Sequence, residues 1–156
     1  MQTVSDAPHR LCAQVTPSWR VAIDWLSCLA DEVPFPGESR PPGFLGQAER
    51  QTLDRLRFAK RRREWLLGRW AAKRLLRTAF PACRGVPLAA IEIDNDPDGA
   101  PFATLKGQRI PVCLSISHRD ERAFCALSAD GRVGADIERI APRVPVFVRD
   151  YFTPVE

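Results

Sequence analysis

The spacing of apolar and polar residues divides the chain into a strand, two helices and a run of strands. The segment WRVAIDWLSCL (19–29) is rich in β-branched and aromatic residues and predicts a first strand. PVCLSIS (111–117) alternates Val112, Leu114 and Ile116 with Cys113, Ser115 and Ser117, which is typical of a strand with one buried face. A strand, two helices and then several strands predict an α+β fold rather than a doubly wound parallel sheet.

The two helices are predicted over LGQAERQTLDRLRF (45–58) and AKRRREWLLGRWAAKRLLRTAF (59–80), after a Pro- and Gly-rich loop at 34–43. In the second helix, apolar residues recur at helical spacing, with Trp70 and Leu76 beside them. This apolar stripe consists of Leu67, Ala71, Leu75 and Ala79. The basic residues Arg61, Arg69 and Lys73 fall outside the stripe, so we expect a long helix with one apolar side and one basic side.

The remaining strands are predicted over AAIEID (89–94), RAFCALSA (122–129) and RVGADIERI (132–140). The segment NDPDGAP (95–101) predicts a turn because Asn, Asp, Pro and Gly are the residues that turns favour. Asp130-Gly131 is a hairpin signal between the last two strands. We therefore expect a mixed or antiparallel sheet packed on the long basic helix.

Two carboxylates one residue apart, Asp136 and Glu138, stand in the last of these strands. Successive side chains of a strand point to opposite faces, so the two acids share a face. Like charges at this distance repel each other unless a cation offsets them, and two hard oxygen ligands suit Mg²⁺. The alternative is an exposed strand face on which Glu138 pairs with Arg139 or Arg132.

Composition and charge limit the possible classes of protein. The 156 residues are 45% hydrophobic and 27% charged, which suits one globular domain and excludes a disordered tail. A net charge of +4 favours anionic partners such as phosphates, acidic proteins or nucleic acid. Five cysteines without a CxxC pair indicate reduced core residues of a cytoplasmic protein. We expect no signal peptide and no membrane-spanning segment.

Two further segments combine polar residues with the predicted elements. Ser117 and His118 stand at the end of a strand, where His118 has either a structural or a functional role. The run KRRR (60–63) is compatible with a solvated face, a nuclear-type basic patch, a phosphate clamp or, with Trp65 and Trp70, a nucleic-acid site. The tryptophans also fit the apolar side of the helix, which favours core packing for them.

Taken in order, these segments resemble the 4′-phosphopantetheinyl transferases of the larger, surfactin-synthetase-activating type. The ordered set is KRRREWLLGRWAAKRLL, DGAP, SISH, VGADIE and DYFTPVE, and it covers roughly residues 45–156. The resemblance implies an enzyme that moves the phosphopantetheine arm of coenzyme A to a serine of an acyl or peptidyl carrier protein, with Mg²⁺, releasing adenosine 3′,5′-bisphosphate. It also implies one half of a pseudo-twofold fold.

The resemblance also implies roles for individual residues. Asp136 and Glu138 match the two magnesium ligands of a G-x-D-x-E motif. The positions that match coenzyme A contacts lie on the helix, the turn and the strand end: Arg61, Arg69, Gly99, Pro101, Ser117 and His118. Carrier proteins are typically acidic, which suits the positive net charge.

Two departures from the family pattern change these expectations. Ala100 stands inside G-x-P where relatives often carry a basic residue. The family's W-x-x-K-E motif, with a third acidic residue, would lie beyond the last residue, so no catalytic residue is assigned. We expect residues 1–150 to form an N-terminal lobe and 151–156 to begin a linker or helix, with Thr153 as its N-cap.

An incomplete lobe predicts an exposed apolar face, with self-association or a second half acting in trans. The alternatives are a non-catalytic fragment and a basic nucleic-acid-binding module. Asp136 beside Glu138 argues against the nucleic-acid module because a negative pair would repel the phosphate backbone.

Overall fold

The computed structural model describes residues 9–16, 19–34, 41–142 and 144–153, with side chains described from residue 22 onward except at residue 148. Within these ranges, the strands are β1 (His9–Thr16), β2 (Trp19–Leu29), β3 (Ile91–Asn95), β4 (Pro101–Leu105), β5 (Gln108–Arg109), β6 (Cys113–Arg119) and β7 (Arg122–Ser128). The α-helices are α1 (Gln47–Arg55), α2 (Ala59–Ala79) and α3 (Pro145–Tyr151).

In the described part of the chain, the strands form two antiparallel sheets. The larger sheet has the order β1-β2-β7-β6, and the smaller sheet has the order β3-β4-β5. Leu26 of β2 lies opposite Cys125 of β7, which in turn lies opposite Ile116 of β6. The predicted α+β class with antiparallel sheets is thus confirmed.

Helix α2 packs across the larger sheet, against β7, β2 and β6. Its predicted apolar stripe faces the core, where Leu67, Ala71 and Leu75 are buried and Ala79 is half-buried. The helix approaches the sheet closely at Gly68, because a Cβ there would lie 3.1 Å from Cγ2 of Ile116. A glycine at this point lets the middle of α2 lie directly on β6.

The basic side of α2 is less exposed than expected. Arg61 is exposed, whereas Arg69 is 8% exposed and Lys73 is fully buried. The Lys73 ammonium group forms an ion pair with Glu49 and donates to the carbonyl oxygens of Phe44 at 2.8 Å and Leu88 at 3.2 Å. At Lys73, helix α2 is therefore covered by α1 and by the segments that contain Phe44 and Leu88, rather than by water.

The segment RVGADIERI was expected to be a strand, and this prediction is wrong. Residues 132–140 have no regular secondary structure, although their burial alternates, with Ala135 and Ile137 half-buried and Asp136 exposed. Side-chain hydroxyls of β6 replace a backbone ladder. Ser115 Oγ accepts the Ala135 N–H at 2.9 Å, and Ser117 Oγ accepts the Ile137 N–H at 3.1 Å. The segment therefore follows β6 without pairing with it.

Other expectations also differ from the structure, or fall outside the residues that it describes. Strands β1, β4 and β5 and helix α3 were not predicted, and α3 precedes the helix start that was expected at Thr153. Residues 154–156 lie outside the described residues, as do residues 35–40 of the predicted Pro- and Gly-rich loop. Within the described ranges, no helix is both long enough and apolar enough to cross a membrane.

A candidate anion-binding cleft

A cleft of about 160 Å³ lies between α2, the end of β3, the turn that follows it and the end of β6. Its lining residues are Arg61, Glu64, Trp65, Gly68, Arg69, Asn95, Gly99, Pro101, Ile116 and His118. Five of the six residues predicted to contact coenzyme A are among them: Arg61, Arg69, Gly99, Pro101 and His118. The fold therefore gathers residues that lie up to 57 positions apart in the sequence.

Arg69 lines the cleft as a buried cation. Its Nη2 donates to Asn95 Oδ1 at 3.2 Å, and its guanidinium carbon lies 4.8 Å from the centre of the Trp65 ring. Its Nε is buried and has no hydrogen-bond partner among the described residues. Burial lowers the pKa of Arg69, and the carboxylates of Glu49 and Asp94 act in the opposite direction. An anion that enters the cleft would supply the acceptor that the guanidinium lacks.

His118 and Arg61 reach the cleft from two different elements. Arg61 and Arg69 are eight residues apart on α2, a little over two helical turns, so they lie on the same broad side of the helix. His118 belongs to β6, where it lies opposite Ala123 of β7. An imidazole can donate a hydrogen bond, so all three side chains are able to serve a phosphate group.

The turn between β3 and β4 closes one side of the cleft. The Gly99 N–H donates to the Asp96 carbonyl at 2.8 Å, and the Asp96 N–H donates to the Ala100 carbonyl at 2.8 Å. Gly99 has a φ of +90°, a backbone conformation that glycine adopts without strain. Asn95 Nδ2 donates to the Gly99 carbonyl at 2.7 Å, so the turn is tied to the end of β3.

Ser117 is separated from the cleft although it is adjacent to His118. Neighbouring residues of a strand point to opposite faces, and Ser117 Oγ donates to Asp136 Oδ1 at 2.9 Å. Of the predicted coenzyme A contacts, Ser117 is thus the one that does not line the cleft. It orients the candidate metal ligand Asp136 instead.

The two predicted metal ligands, Asp136 and Glu138, lie in the exposed segment beside β6. Both residues are exposed, and the nearest atoms of Glu138 and Arg119 are 3.8 Å apart. The predicted alternative pairing of Glu138 with Arg139 or Arg132 is replaced by this loose contact with Arg119. No group of three or more His, Cys, Asp or Glu side chains gathers around one point in the described part of the chain. Neither carboxylate lines the cleft.

The basic run at the start of α2 divides into separate roles. Arg62 donates to the carbonyl oxygens of Leu53 at 2.6 Å and Leu56 at 3.2 Å, so it joins α1 to α2. Lys60 lies 3.7 Å from Glu64, a pair of the i,i+4 type. Arg61 alone of the KRRR residues lines the cleft.

The sequence did not assign five of the ten cleft residues to a site: Glu64, Trp65, Gly68, Asn95 and Ile116. Trp65 was assigned to core packing, and it does contact the core, but its ring also packs against Arg69. Glu64 and Asn95 were not singled out. The sequence signal for Asn95 is its position immediately before the DPDG turn, since a strand-terminal Asn can bond to the backbone of the turn that follows.

Comparison with known proteins gives matches in structure alone. No family model matches this sequence, and no curated protein is significantly similar to it. Among solved structures, the chain is similar to a holo-(acyl-carrier-protein) synthase from Bacillus anthracis in complex with CoA (3′,5′-ADP). The TM-score is 0.57 and the identity is 28%, over 68% of this chain and 92% of that chain.

The chain is also similar to the ACPS–CoA complex of Chronobacterium ammoniagenes. The TM-score is 0.50 and the identity is 26%, over 70% of this chain and 97% of that chain. The apo-ACPS structure has a TM-score of 0.50 and 25% identity, over 69% of this chain and 96% of that chain. About two thirds of this chain therefore corresponds to nearly the whole of each synthase. The structural neighbours belong to the 4′-phosphopantetheinyl transferase superfamily, and the α+β fold with antiparallel sheets matches theirs.

Proposed function

We propose that this chain binds coenzyme A and takes part in transferring its 4′-phosphopantetheine arm to a serine of an acyl or peptidyl carrier protein. In this reaction, the serine oxygen forms a bond to the phosphorus that carries the pantetheine arm. The bond from that phosphorus to the bridging oxygen breaks, and adenosine 3′,5′-bisphosphate leaves while the serine loses its proton. The larger, surfactin-synthetase-activating type of transferase is the subtype that we propose.

The observation that carries this proposal is the buried guanidinium of Arg69, whose Nε has no hydrogen-bond partner among the described residues, in a cleft that Arg61 and His118 also line. A phosphate group carries several acceptor oxygens, and a guanidinium fork binds two of them at once. The cleft also has a backbone turn at Gly99 and an aromatic ring at Trp65 beside the cations. The similarity to synthases that were crystallised with CoA supports the same assignment.

The chemistry of Asp136 and Glu138 fits the predicted Mg²⁺. Mg²⁺ is commonly held by one or two carboxylates, with substrate phosphates and water as its other ligands, and this chain offers two exposed carboxylates in one segment. Ser117 donates to Asp136 and fixes its orientation without adding a charge. When bound there, Mg²⁺ would neutralise negative charge on the transferred phosphoryl group.

Arg69, Arg61 and His118 would bind and orient the substrate. Arg69, held by Asn95 and packed on Trp65, would bind a phosphate at a fixed position, whereas the exposed Arg61 would add a more mobile contact. His118 would donate a hydrogen bond to a phosphate oxygen. These three side chains are proposed to bind phosphate, and none of them is assigned to remove the proton of the attacking serine.

The carrier protein and a second lobe are the proposed partners. The net charge of +4 suits an acidic carrier surface. The apolar side chains of the segment after residue 139 are more than half exposed at Ile140, Val144, Val146 and Tyr151. We propose that a second lobe, or a second copy of the chain, packs on this segment. Sedimentation velocity tests self-association, and a monomer at all concentrations would exclude the second copy.

The test of the function is transfer of a labelled pantetheine arm from coenzyme A to a generic apo carrier protein, with Mg²⁺ and with EDTA. Isothermal titration of the same chain with coenzyme A measures binding independently of transfer. Asp136→Asn should abolish Mg²⁺-dependent transfer without changing the melting temperature. The matched control is Asp31→Asn, at an exposed carboxylate in the 30–32 turn, which should retain transfer. A chain that neither binds coenzyme A nor transfers the arm would overturn the proposal.

A further inference from the structure

Asn95 connects the buried guanidinium to the turn that borders the cleft. Its Oδ1 accepts from Arg69 Nη2 at 3.2 Å, and its Nδ2 donates to the Gly99 carbonyl at 2.7 Å. These two contacts determine the orientation of the amide, because a guanidinium can only donate and a carbonyl can only accept. Asn95 is the last residue of β3, where its backbone lies opposite Pro101 of β4.

The geometry of Arg69 makes this link important. A long, rotatable side chain loses conformational entropy when it is held in one orientation, and the Trp65 ring packs on the guanidinium without a hydrogen bond that would fix its rotation. The bond to Asn95 uses Nη2, while Nε remains without a partner within the described residues. The Nη2 donor of the guanidinium is thus bound to protein, and other donors of the guanidinium remain for a ligand phosphate.

The neutral side chain of Asn95 is also important for the charge of the cleft. Asp94 is the preceding residue, and its carboxylate already acts on Arg69 over a distance. The residue that contacts Arg69 directly is a neutral amide. A carboxylate at this contact would form an ion pair with the guanidinium and would repel a phosphate that approaches the same cleft. An amide orients the guanidinium and leaves its charge for the ligand.

We propose that Asn95 is a positioning residue that holds the Arg69 guanidinium for a ligand phosphate and couples it to the Gly99 turn. The inference rests on the proposed function, since it takes coenzyme A as the ligand. It adds a residue that neither the sequence pattern nor the similarity to other structures assigns. Asn95 acts through Arg69, and its bond to the Gly99 carbonyl holds the amide in the orientation that accepts from Nη2. It needs no bond of its own to the ligand.

The test measures the dissociation constants of coenzyme A and adenosine 3′,5′-bisphosphate for the wild-type chain, Asn95→Ala and Asn95→Asp by isothermal titration. We expect weaker binding by about tenfold for Asn95→Ala, the scale of one hydrogen bond to a charged group. Asn95→Asp should lose more, although aspartate is nearly the same size. The matched control is Asp98→Asn on the same turn, which contacts the Ala100 N–H and should bind as the wild type does.

A double-mutant cycle separates positioning from a general structural effect. In an Arg69→Met background, Asn95→Ala and Asn95→Asp should have no further effect on affinity, because their influence passes through the guanidinium. Equal losses in both backgrounds would overturn the inference, as would wild-type affinity in both Asn95 variants. If the wild-type chain fails to bind coenzyme A, the proposed function and this inference are overturned together. Wild-type binding with unchanged variants overturns this inference alone.

Discussion

Lys73 and Arg69 are two buried cations one helical turn apart on α2, and they differ in how their donors are used. The Lys73 ammonium group has three donors, and it contacts Glu49 and the carbonyl oxygens of Phe44 and Leu88. Arg69 has five donors but forms a hydrogen bond to Asn95 and retains a buried Nε without a partner in the described part of the chain. The first cation is completely satisfied by the protein, and the second is not.

The surroundings of Lys73 explain why it has a structural role. Its partner Glu49 also accepts the N–H groups of Gly46 at 2.9 Å and Ile93 at 3.1 Å. This ion pair therefore joins α2 to the start of α1 and to β3. Burial lowers the pKa of Lys73, while Glu49 acts to raise it. A buried pair with all its hydrogen bonds made specifies how these elements pack but offers nothing to a ligand.

The comparison teaches that burial of a cation on α2 does not by itself indicate function. The distinguishing feature is a buried cation that lines a cleft and has a donor without a partner among the described residues. Native proteins satisfy nearly all buried polar groups, so Arg69 Nε, which has no partner within the described residues, is an exception at the edge of a cleft. Every donor of the Lys73 ammonium group contacts protein atoms, whereas Arg69 lines a cleft that Arg61 and His118 also line.

The largest effect is expected at Lys73. Lys73→Met should lower the free energy of unfolding by about 3–5 kcal/mol, because it leaves the buried Glu49 carboxylate without its cation. Chemical denaturation followed by tryptophan fluorescence measures this change. The double variant Lys73→Met with Glu49→Leu should recover part of the loss. A stable Lys73→Met single variant would contradict the structural role.

Arg69→Met is expected to give the opposite combination of effects. The unfolding free energy should change by less than about 1 kcal/mol, because removing a charge with an unmet donor also removes its desolvation cost. Affinity for coenzyme A should fall by about 10- to 100-fold, the range for a charge-assisted hydrogen bond. If denaturation and titration show instead that Arg69→Met is as unstable as Lys73→Met, the contrast between the two sites fails.

Arg61 sharpens the comparison because it lines the same cleft but is exposed. Arg61→Ala should weaken coenzyme A binding by only a fewfold, since solvent and salt screen an exposed charge. Titration from low to high salt should show a smaller salt dependence for Arg61→Ala than for the wild-type chain. The exposed Arg63, which does not line the cleft, provides the matched control as Arg63→Ala. Equal effects of both variants would mean that only the overall positive charge matters.

The smallest effect is expected at Asp96 on the outer side of the turn. Arg109 donates to both carboxylate oxygens of Asp96, at 3.0 and 2.7 Å, and this contact lowers the pKa of Asp96 below its usual value of 3.8. The ion pair therefore stabilises the fold above that pH, and the contribution is lost as the pH falls through the lowered pKa. Thermal unfolding of wild type and Asp96→Asn should differ slightly at pH 7 and converge in acid. A difference that grows in acid would contradict this sign.

The sequence predicted the central elements because their patterns are local. Apolar residues at helical spacing place Leu67, Ala71 and Leu75 on one side of α2 whatever packs against them. The same pattern could not distinguish Lys73 from an exposed lysine, because its burial depends on Glu49, which lies 24 residues earlier and reaches it only in the folded chain. The strand expected at 132–140 failed for a similar reason, since the hydroxyls of Ser115 and Ser117 take the place of backbone pairing.

The candidate site also combines features that the sequence predicted with features that only the folded chain shows. The resemblance to the transferase motifs named Arg61, Arg69, Gly99, Pro101 and His118 as candidates, because these residue types stand in the same order as in that family. The sequence by itself thus determined the α+β class and the chemical character of these positions. Only the tertiary structure decided which of them share a cleft, placed Ser117 outside it and brought in Asn95 and Trp65. Distances between elements and unmet hydrogen-bond donors arise only when the helix and the two sheets pack together.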